Sequence, residues 1–286
     1  MVIEARAPLR VDLAGGWTDL SPFTIHHGGE VVNFTIDKYV RARLGSSGEV
    51  EFSFDVPAGS GLGTSGALNV ARIAVLNDGD IDDLQGLAEQ AYQAEIASGN
   101  RCGRQDQWAA ALGGFNRFMF VGDSVESMPF EAPKTARNWL RKHLLIVNSG
   151  IVHDSGEIQN AIWARYDAGE EAVTEGLLII RAAARKMVDG LQRDYRHLVV
   201  EALDDICRGV DLLDPAIHDP FRSIIDPLLE TRSVMAWKAL GAGAGGCAAL
   251  LCNPLGFTTV REAVDAAGWK IIEWDFEDTG LTIIES

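Results

Sequence analysis

A glycine-rich stretch that leads directly into a helix-forming run constrains this chain more than any other feature. Residues 56–76 read VPAGSGLGTSGALNVARIAVL, and four of the first eleven are glycine. Glycine lets a backbone adopt positive φ and approach an anion closely, and the first turn of a helix offers unpaired N–H groups to phosphate. Thr64 and Ser65 can cap this helix. The stretch is neither a Walker A loop nor a GxGxxG fingerprint, so it predicts a phosphate-binding loop or a tight structural turn.

Composition narrows the range of partners. A chain of 286 residues can hold one large or two ordinary domains, and its net charge of -16 argues against binding nucleic acid or an anionic membrane surface. The four cysteines form no CxxC pair and have no histidine at metal-ligand spacing, so we expect reduced thiols and no zinc site. With no signal peptide and no apolar run of membrane-spanning length, we expect a cytoplasmic protein.

The N-terminal region predicts strands that carry unexpected charge. Alternating patterns indicate strands at 2–7, 9–13, 31–36, 39–44 and 49–55. Arg10 and Asp12 lie within an apolar strand, and Asp19 follows the next turn, which predicts a polar cleft because buried strands normally avoid charge. The alternative is an Arg–Asp ion pair that only closes the turn.

Two acidic residues on predicted helices are candidates for site chemistry. After a helix at 64–77, a second helix runs from about Asp83 to Ser98 and carries Glu95 on its apolar face. A buried carboxylate needs a partner, and Mg²⁺ beside a phosphate loop is the natural one; the alternative is a frayed end that reaches solvent. Asp106 lies in the first turn of a helix at 103–112, where it can accept a proton or act as an ordinary N-terminal acid.

The second half of the chain is helix-rich. Strands at 115–121 and 143–148 lead to a change in composition near 135–150, followed by predicted helices at 153–166, 170–190, 194–213 and 219–240. A second glycine loop, 241–246, begins a strand or packs against the first loop. A strand at 247–252, a helix at 258–268 and strands at 269–276 and 281–285 complete the pattern. His153 and Asp154 fall in a segment that we expect to be a surface loop, with entry into the cleft as the alternative.

Three motifs in this order resemble those of the GHMP kinase superfamily. They are PLRVDLAGGWTD at 8–19, PAGSGLGTSGA at 57–67 and KALGAGAGG at 238–246, and the pattern around 94–107 is also similar. The resemblance implies an α+β, two-domain GHMP-kinase-like fold with the active site in the cleft between the domains. An N-terminal mixed α/β domain, 1–140, would carry the phosphate-binding loop at 57–67. A C-terminal helix-rich α+β domain, 141–286, would carry the loop at 241–246.

Within the superfamily, two sets of residues point to sugar 1-kinases. Residues 28–39, 105–116 and 148–151 resemble D-glycero-D-manno-heptose 7-phosphate kinases, whereas the sequence of residues 11–17 is more similar to that of L-fucokinases. The resemblance implies an ATP- and Mg²⁺-dependent kinase that phosphorylates the anomeric hydroxyl of a sugar or sugar phosphate, with heptose 7-phosphate as the first choice and fucose as the second. It implies no nucleic-acid or membrane partner and leaves a homodimer open.

The resemblance also assigns roles to particular residues. Asp106 would be the catalytic carboxylate and Arg10 its cationic neighbour. Ser65 and Glu95 would hold Mg²⁺, while Thr18 and Asp19 would bind sugar hydroxyls. The second loop would shape the substrate cleft through Gly243 and Gly245. The ATP phosphates would lie against Gly59, Ser60, Gly61, Leu62, Gly63, Thr64 and Ser65.

Two segments depart from the superfamily pattern. The stretch 44–56 is very short where relatives carry several tens of residues that help to form the nucleotide pocket. Residues 151–155 replace a more basic segment of the heptose-phosphate kinases. A non-catalytic sugar- or nucleotide-binding homologue is therefore the rival hypothesis, and a kinase of a non-sugar alcohol such as mevalonate or homoserine is a third.

Overall fold

A computed structural model describes residues 3–45, 48–99, 101–152 and 155–285 of the chain. His153 and Asp154 lie outside the described residues, so the expectation of a surface loop there stays a prediction. Strands and helices are numbered in chain order.

The first sheet is antiparallel and is built mainly from the N-terminal region. Its order is β10-β1-β2-β4-β5, with β3 paired to β2 outside this path. The central strands β1 and β2 are almost wholly buried, because they pair with neighbouring strands and several helices pack against them. Its strands are β1 (Ile3–Ala14), β2 (Gly29–Leu44), β3 (Val50–Phe54), β4 (Phe115–Val121), β5 (Ser124–Ser127) and β10 (Thr282–Glu285).

The second sheet is smaller and also antiparallel, with the order β7-β8-β6-β9. Its central strand β8 is buried along its whole length, which agrees with its uniformly apolar sequence CAALLC. Its strands are β6 (Leu144–Asn148), β7 (Val234–Ala239), β8 (Cys247–Cys252) and β9 (Lys270–Ile272).

The helices pack on both sheets. The pair α7 and α8 packs closely together and also contacts β1, while α2 packs against β1 and β2. Within the described ranges, no helix has the length and apolar character that crossing a membrane requires. The helices are α1 (Ser21–His26), α2 (Thr64–Leu76), α3 (Leu84–Ala97), α4 (Gln105–Leu112), α5 (Lys134–His143), α6 (Ser155–Asp167), α7 (Glu171–Gln192), α8 (Arg196–Leu213), α9 (Asp219–Glu230) and α10 (Phe257–Ala266).

The structure corrects several predicted elements. The helix predicted at 219–240 is wrong, because α9 ends at Glu230, Arg232 turns the backbone at a φ of 55° and strand β7 follows. The strands predicted on either side of Pro8 form one strand, β1, with a register shift between Pro8 and Leu9. The sequence pattern missed α1, β5 and α5, all of which are short.

The two halves of the chain are joined closely. Strand β10, near the end of the chain, pairs with β1 over four residues from Ile3 to Arg6, so the first sheet includes a strand from the predicted C-terminal domain. Buried residues from both sheets also share one apolar core. The boundary between residues 140 and 141 stays a prediction.

Candidate functional site

A cavity of about 260 Å³ opens where the two halves meet. The turn after β1, the first glycine loop, the segment between α3 and α4, helix α6 and the second glycine loop all contribute to its wall. Among the residues that line it are Arg10, Trp17, Asp19, Gly59, Gly61, Gly63, Thr64, Ser65, Glu95, Arg101, Gly103, Gln105, Asp106, Gln107, Gln159, Gly241 and Ala242.

Residues of the first glycine loop alternate between lining the cavity and being buried behind it. Gly59, Gly61 and Gly63 line the cavity, whereas Ser60 and Leu62 are buried behind the loop. Gly61 has a φ of 79°, and a Cβ there would lie 2.4 Å from the carbonyl oxygen of Leu240. Its own carbonyl oxygen accepts a 2.6 Å hydrogen bond from Arg10 Nη1. The loop is therefore held in a conformation that a side chain at Gly61 would not permit.

Helix α2 begins directly at this loop and directs its first turn at the cavity. Its N-cap is Gly63, in the left-handed region, and no side chain caps it. The predicted cap by Thr64 and Ser65 is therefore wrong, because both residues lie inside the helix and the Ser65 hydroxyl bonds to a carboxylate instead. Uncapped N–H groups of a helix N-terminus favour an anion such as phosphate.

Arg10 and Asp106 form an ion pair beside the loop. Arg10 Nε and Nη2 lie 2.8 Å and 2.7 Å from Asp106 Oδ1. The guanidinium is buried, while 28% of the Asp106 side chain is exposed. Gly63 passes so close that a Cβ there would lie 3.2 Å from Arg10 Cγ and 3.4 Å from Asp106 Cγ. Arg10 therefore holds the Asp106 carboxylate in place, and that carboxylate is partly exposed to the cavity.

Glu95 lies on the same wall, buried as predicted and not frayed into solvent. Its Oε1 accepts a 2.5 Å hydrogen bond from Ser65, and its Oε2 accepts one of 2.7 Å from Gln107 and one of 3.4 Å from Asn69. Burial raises the pKa of Glu95 above its ordinary value, and these three hydrogen bonds oppose that shift. The structure brings Ser65 and Glu95 together, as the sequence predicts.

Asp19 is a third carboxylate in the cavity and has no cationic partner among the described residues. Its Oδ2 accepts a 3.1 Å hydrogen bond from the backbone N–H of Gln105. A Cβ at Gly103 would lie 1.8 Å from the same oxygen, so only glycine fits there. Burial raises the pKa of Asp19 to about 7, with a smaller contribution from the nearby charge of Asp106.

Three predicted substrate-binding residues do not line the cavity. The Thr18 hydroxyl is fully buried and bonds to the backbone, donating to the carbonyl oxygen of Gly15 at 2.7 Å. Gly243 packs against Ile217, and neither it nor Gly245 belongs to the wall. Gly241 and Ala242 supply the second loop's part of that wall.

Asp12 belongs to a buried ion pair whose partner the sequence pattern does not reveal. Lys238 Nζ donates to Asp12 Oδ2 at 2.6 Å and to the Asp12 carbonyl oxygen at 2.8 Å. Both side chains are nearly inaccessible, and burial lowers the pKa of Lys238. The sequence pattern puts Lys238 in a helix, so it does not foresee its position on strand β7 beside β1. Trp17, Arg101 and Gln107 also line the cavity; they fall within the motif segments 8–19 and 94–107, but the sequence analysis assigns them no role.

The donor set fits a nucleotide phosphate with its magnesium ion. Gly59 lines the cavity, and beyond its chain neighbours no described atom lies within 4 Å of the position that a Cβ would take there, so this part of the loop is open. The Ser65 hydroxyl and Glu95 carboxylate offer the hard oxygen ligands that Mg²⁺ prefers. Within the described ranges, no group of three histidine, cysteine, aspartate or glutamate side chains could hold a metal by itself.

Comparison with known proteins finds a family match for the segment that contains the first glycine loop, Glu95 and Asp106. Residues 30–114 match the family described as GHMP kinases N terminal domain. The D-glycero-alpha-D-manno-heptose 7-phosphate kinase of Campylobacter jejuni is 25% identical over 340 residues, covering 98% of each protein. The bifunctional fucokinase/GDP-fucose pyrophosphorylase of Arabidopsis thaliana is 22% identical over 87% of this chain and 30% of its own length.

Solved structures agree with the predicted fold class. The crystal structure of a D-glycero-D-manno-heptose 1-phosphate kinase from Bacteroides thetaiotaomicron matches with a TM-score of 0.75 at 20% identity, covering 99% of each chain. The α+β, two-domain fold is therefore confirmed, and so is the resemblance on which it was based. Residues 30–114 therefore match the GHMP kinase N-terminal domain family, and the chain as a whole has the fold of the GHMP kinase structures.

Proposed function

We propose that this protein is an ATP- and Mg²⁺-dependent kinase that phosphorylates the anomeric hydroxyl of a sugar, with D-glycero-D-manno-heptose 7-phosphate as the leading substrate. One observation carries the proposal: the Arg10–Asp106 pair faces the cavity directly beside a glycine loop and an uncapped helix N-terminus. The relative named as a heptose 7-phosphate kinase, which aligns over nearly the whole chain, supports the choice of sugar.

The side chains divide the chemistry of phosphoryl transfer between them. Asp106 would orient the attacking hydroxyl and accept its proton, and Arg10 would hold that carboxylate in place. The glycine loop and the first turn of α2 would bind the ATP phosphates through backbone N–H groups. Ser65 and Glu95 would hold Mg²⁺, which would offset the negative charge of the transferred group when bound. Asp19, the predicted sugar contact that does line the cavity, would bind a substrate hydroxyl.

L-fucose is the second candidate substrate, because a relative named as a fucokinase aligns with most of this chain. A non-catalytic homologue is the rival from another class, and the short segment 44–56 is the feature that favours it. We also propose that the protein works in the cytoplasm, since Cys102, Cys207, Cys247 and Cys252 are free thiols.

The test is ADP release with Mg-ATP in the presence of heptose 7-phosphate, fucose, galactose, mannose or no sugar. Asp106→Asn is measured beside the wild type, and Asp265→Asn, an exposed carboxylate on α10, is the matched control. We expect turnover with one sugar, lost by about a thousandfold or more in Asp106→Asn and retained in Asp265→Asn. Sugar binding without turnover, in a folded wild-type protein, would contradict the proposal and favour the non-catalytic homologue.

A further inference from the structure

The charges that line the cavity leave one cation available to a phosphorylated acceptor. Among the described lining residues, the carboxylates are Asp19, Glu95 and Asp106, and the cations are Arg10 and Arg101. Two of these three carboxylates have no cation within ion-pair distance in the described part of the chain. A phosphate monoester is a dianion near neutral pH, so in such an acidic cavity its binding needs a cation that is free to turn towards it.

Arg10 cannot serve this purpose. Its guanidinium is buried and already bonds to Asp106 through Nε and Nη2 and to the Gly61 carbonyl oxygen through Nη1. Turning it towards a substrate phosphate would leave Asp106 without its cation and the glycine loop without its support. Both losses would disturb the proposed site of phosphoryl transfer.

Arg101 is placed and partnered differently. Its side chain is 35% exposed, and its one ion-pair partner among the described residues is Asp167, at 3.3 Å, which is itself 51% exposed. An exposed pair of this kind is worth little in water, so exchanging Asp167 for a phosphate costs little. The planar guanidinium can also donate two parallel hydrogen bonds to phosphate oxygens.

The chain connects Arg101 to the proposed acceptor site. Arg101, Cys102 and Gly103 line the cavity in succession, and Gly103 packs directly against the Asp19 carboxylate. Asp106 follows in the first turn of α4. A sugar held between Asp19 and Asp106 therefore has Arg101 on the same continuous wall, together with Gln159 from α6.

We propose that Arg101 is the specificity-determining residue that binds the phosphate of a phosphorylated sugar acceptor. This inference rests on the proposed kinase function, and it gives Arg101 the role of the basic segment that residues 151–155 lack. The alternative role of Arg101 is structural: its pair with Asp167 would then only tether the end of α6 to the segment before α4.

The experiment compares a sugar phosphate with the same sugar lacking the phosphate. Initial rates are measured with heptose 7-phosphate and with the unphosphorylated heptose for the wild type, Arg101→Ala and Asp167→Ala. Arg261→Ala is the matched control, because Arg261 forms an exposed pair with Glu273 at 3.4 Å and lies outside the cavity. We expect Arg101→Ala to raise the KM for the phosphorylated sugar about tenfold to a hundredfold.

The same variant should leave the KM for the unphosphorylated sugar and for ATP unchanged, and Asp167→Ala should not raise either sugar KM. Equal effects of Arg101→Ala on the two sugars would overturn the assignment. So would an Asp167→Ala variant that matches Arg101→Ala, since that is the signature of a tether.

A binding measurement separates this inference from the proposed function. Calorimetric titration of each protein with the two sugars, without ATP, reports the contribution of the phosphate to affinity even when no turnover occurs. A wild type that turns over neither sugar, but binds the phosphorylated one more tightly through Arg101, would refute the kinase and leave the assignment intact. A wild type that binds the phosphorylated and the unphosphorylated sugar equally tightly would overturn the assignment.

Discussion

The two glycine-rich loops are similar in sequence and differ in what their glycines do. In the first loop, Gly59 and Gly63 line the cavity, and Gly59 has open space where a side chain would be. In the second loop, Gly243 packs against Ile217, and a Cβ at Gly246 would lie 2.9 Å from the Gly59 carbonyl oxygen. Gly59 of the first loop therefore leaves open space, whereas Gly243 and Gly246 of the second loop, like Gly61 of the first, let neighbouring segments pack closely.

The ion pairs beside the two loops show the same difference. Asp106, beside the first loop, is partly exposed to the cavity, whereas Lys238, on the strand that leads to the second loop, and its partner Asp12 on β1 are both buried. Lys238 is followed within three residues by Gly241, which contacts Gly61 of the first loop. We therefore infer that the second loop and the Asp12–Lys238 ion pair hold the first loop in position. We call this pair and loop the brace.

The largest expected effect tests this brace directly. Lys238→Met should lower the free energy of unfolding by about 3–5 kcal/mol, because it leaves the Asp12 carboxylate buried without a counter-charge. Among the described residues, Lys238 is the one ion-pair partner of Asp12, and Asp12 Oδ1 has no hydrogen-bond partner. Urea unfolding followed by tryptophan fluorescence measures the change.

A double variant supplies the control for this prediction. Asp12→Ala combined with Lys238→Met removes both charges and should recover much of the stability lost in Lys238→Met alone. A Lys238→Met protein with wild-type stability and no kinase activity would contradict the structural role of the Asp12–Lys238 pair. It would indicate instead that Lys238 takes part in catalysis.

The next effect concerns the buried carboxylate that has no cation beside it. Because burial raises the Asp19 pKa from 3.8 to about 7, the folded protein holds this proton over a pH range in which the unfolded chain has lost it. The contribution of Asp19 to stability therefore falls as the pH rises from about 4 to 7, by at most about 4 kcal/mol at 1.4 kcal/mol per pKa unit. Asp19→Asn should remove this dependence, and unfolding of both proteins at several pH values measures it.

The difference between the two proteins is the quantity to follow, since other titrating groups contribute equally to both. We expect Asp19→Asn to gain stability relative to the wild type with increasing pH up to about 7 and to keep a constant advantage above it. Parallel stability curves for the two proteins would show that the pKa of Asp19 is the same in the folded and unfolded protein and would contradict the shift caused by burial.

The sequence predicts much of this site because its main determinants are local. The glycine loop, helix α2 and the burial of Glu95 follow from turn chemistry and helical spacing, and the structure agrees with each. The order of motifs along the chain then indicates which fold brings Arg10 and Asp106 together, although 96 positions separate them.

The remaining features depend on contacts between distant segments. The pattern assigns Lys238 to a helix because alanine and leucine around it favour helix, and only pairing of β7 with β8 makes it a strand residue facing Asp12. The motif that contains Thr18 implies a ligand contact, yet tertiary packing turns its hydroxyl to the backbone of Gly15. Neither outcome leaves a signal in local sequence.

The smallest expected effects come from adding one methyl group to each loop. Gly59 and Gly243 both have a φ of 75°, so alanine at either position should cost about 1 kcal/mol through the left-handed backbone. At Gly243 the new Cβ would also lie 2.2 Å from Ile217 Cγ2, and this overpacking should add about 1–3 kcal/mol. Gly59→Ala should therefore be the more stable variant in urea unfolding.

Activity should rank the two variants in the opposite order. The methyl group of Gly59→Ala would stand in the space proposed for a phosphate, so we expect the KM for ATP to rise about tenfold while the sugar KM stays near its wild-type value. Gly243→Ala, assayed at a temperature where it remains folded, should keep both constants because its methyl group lies outside the cavity wall. A Gly243→Ala variant that raises the sugar KM would place the second loop in contact with substrate and reverse the division between a ligand-binding loop and a brace.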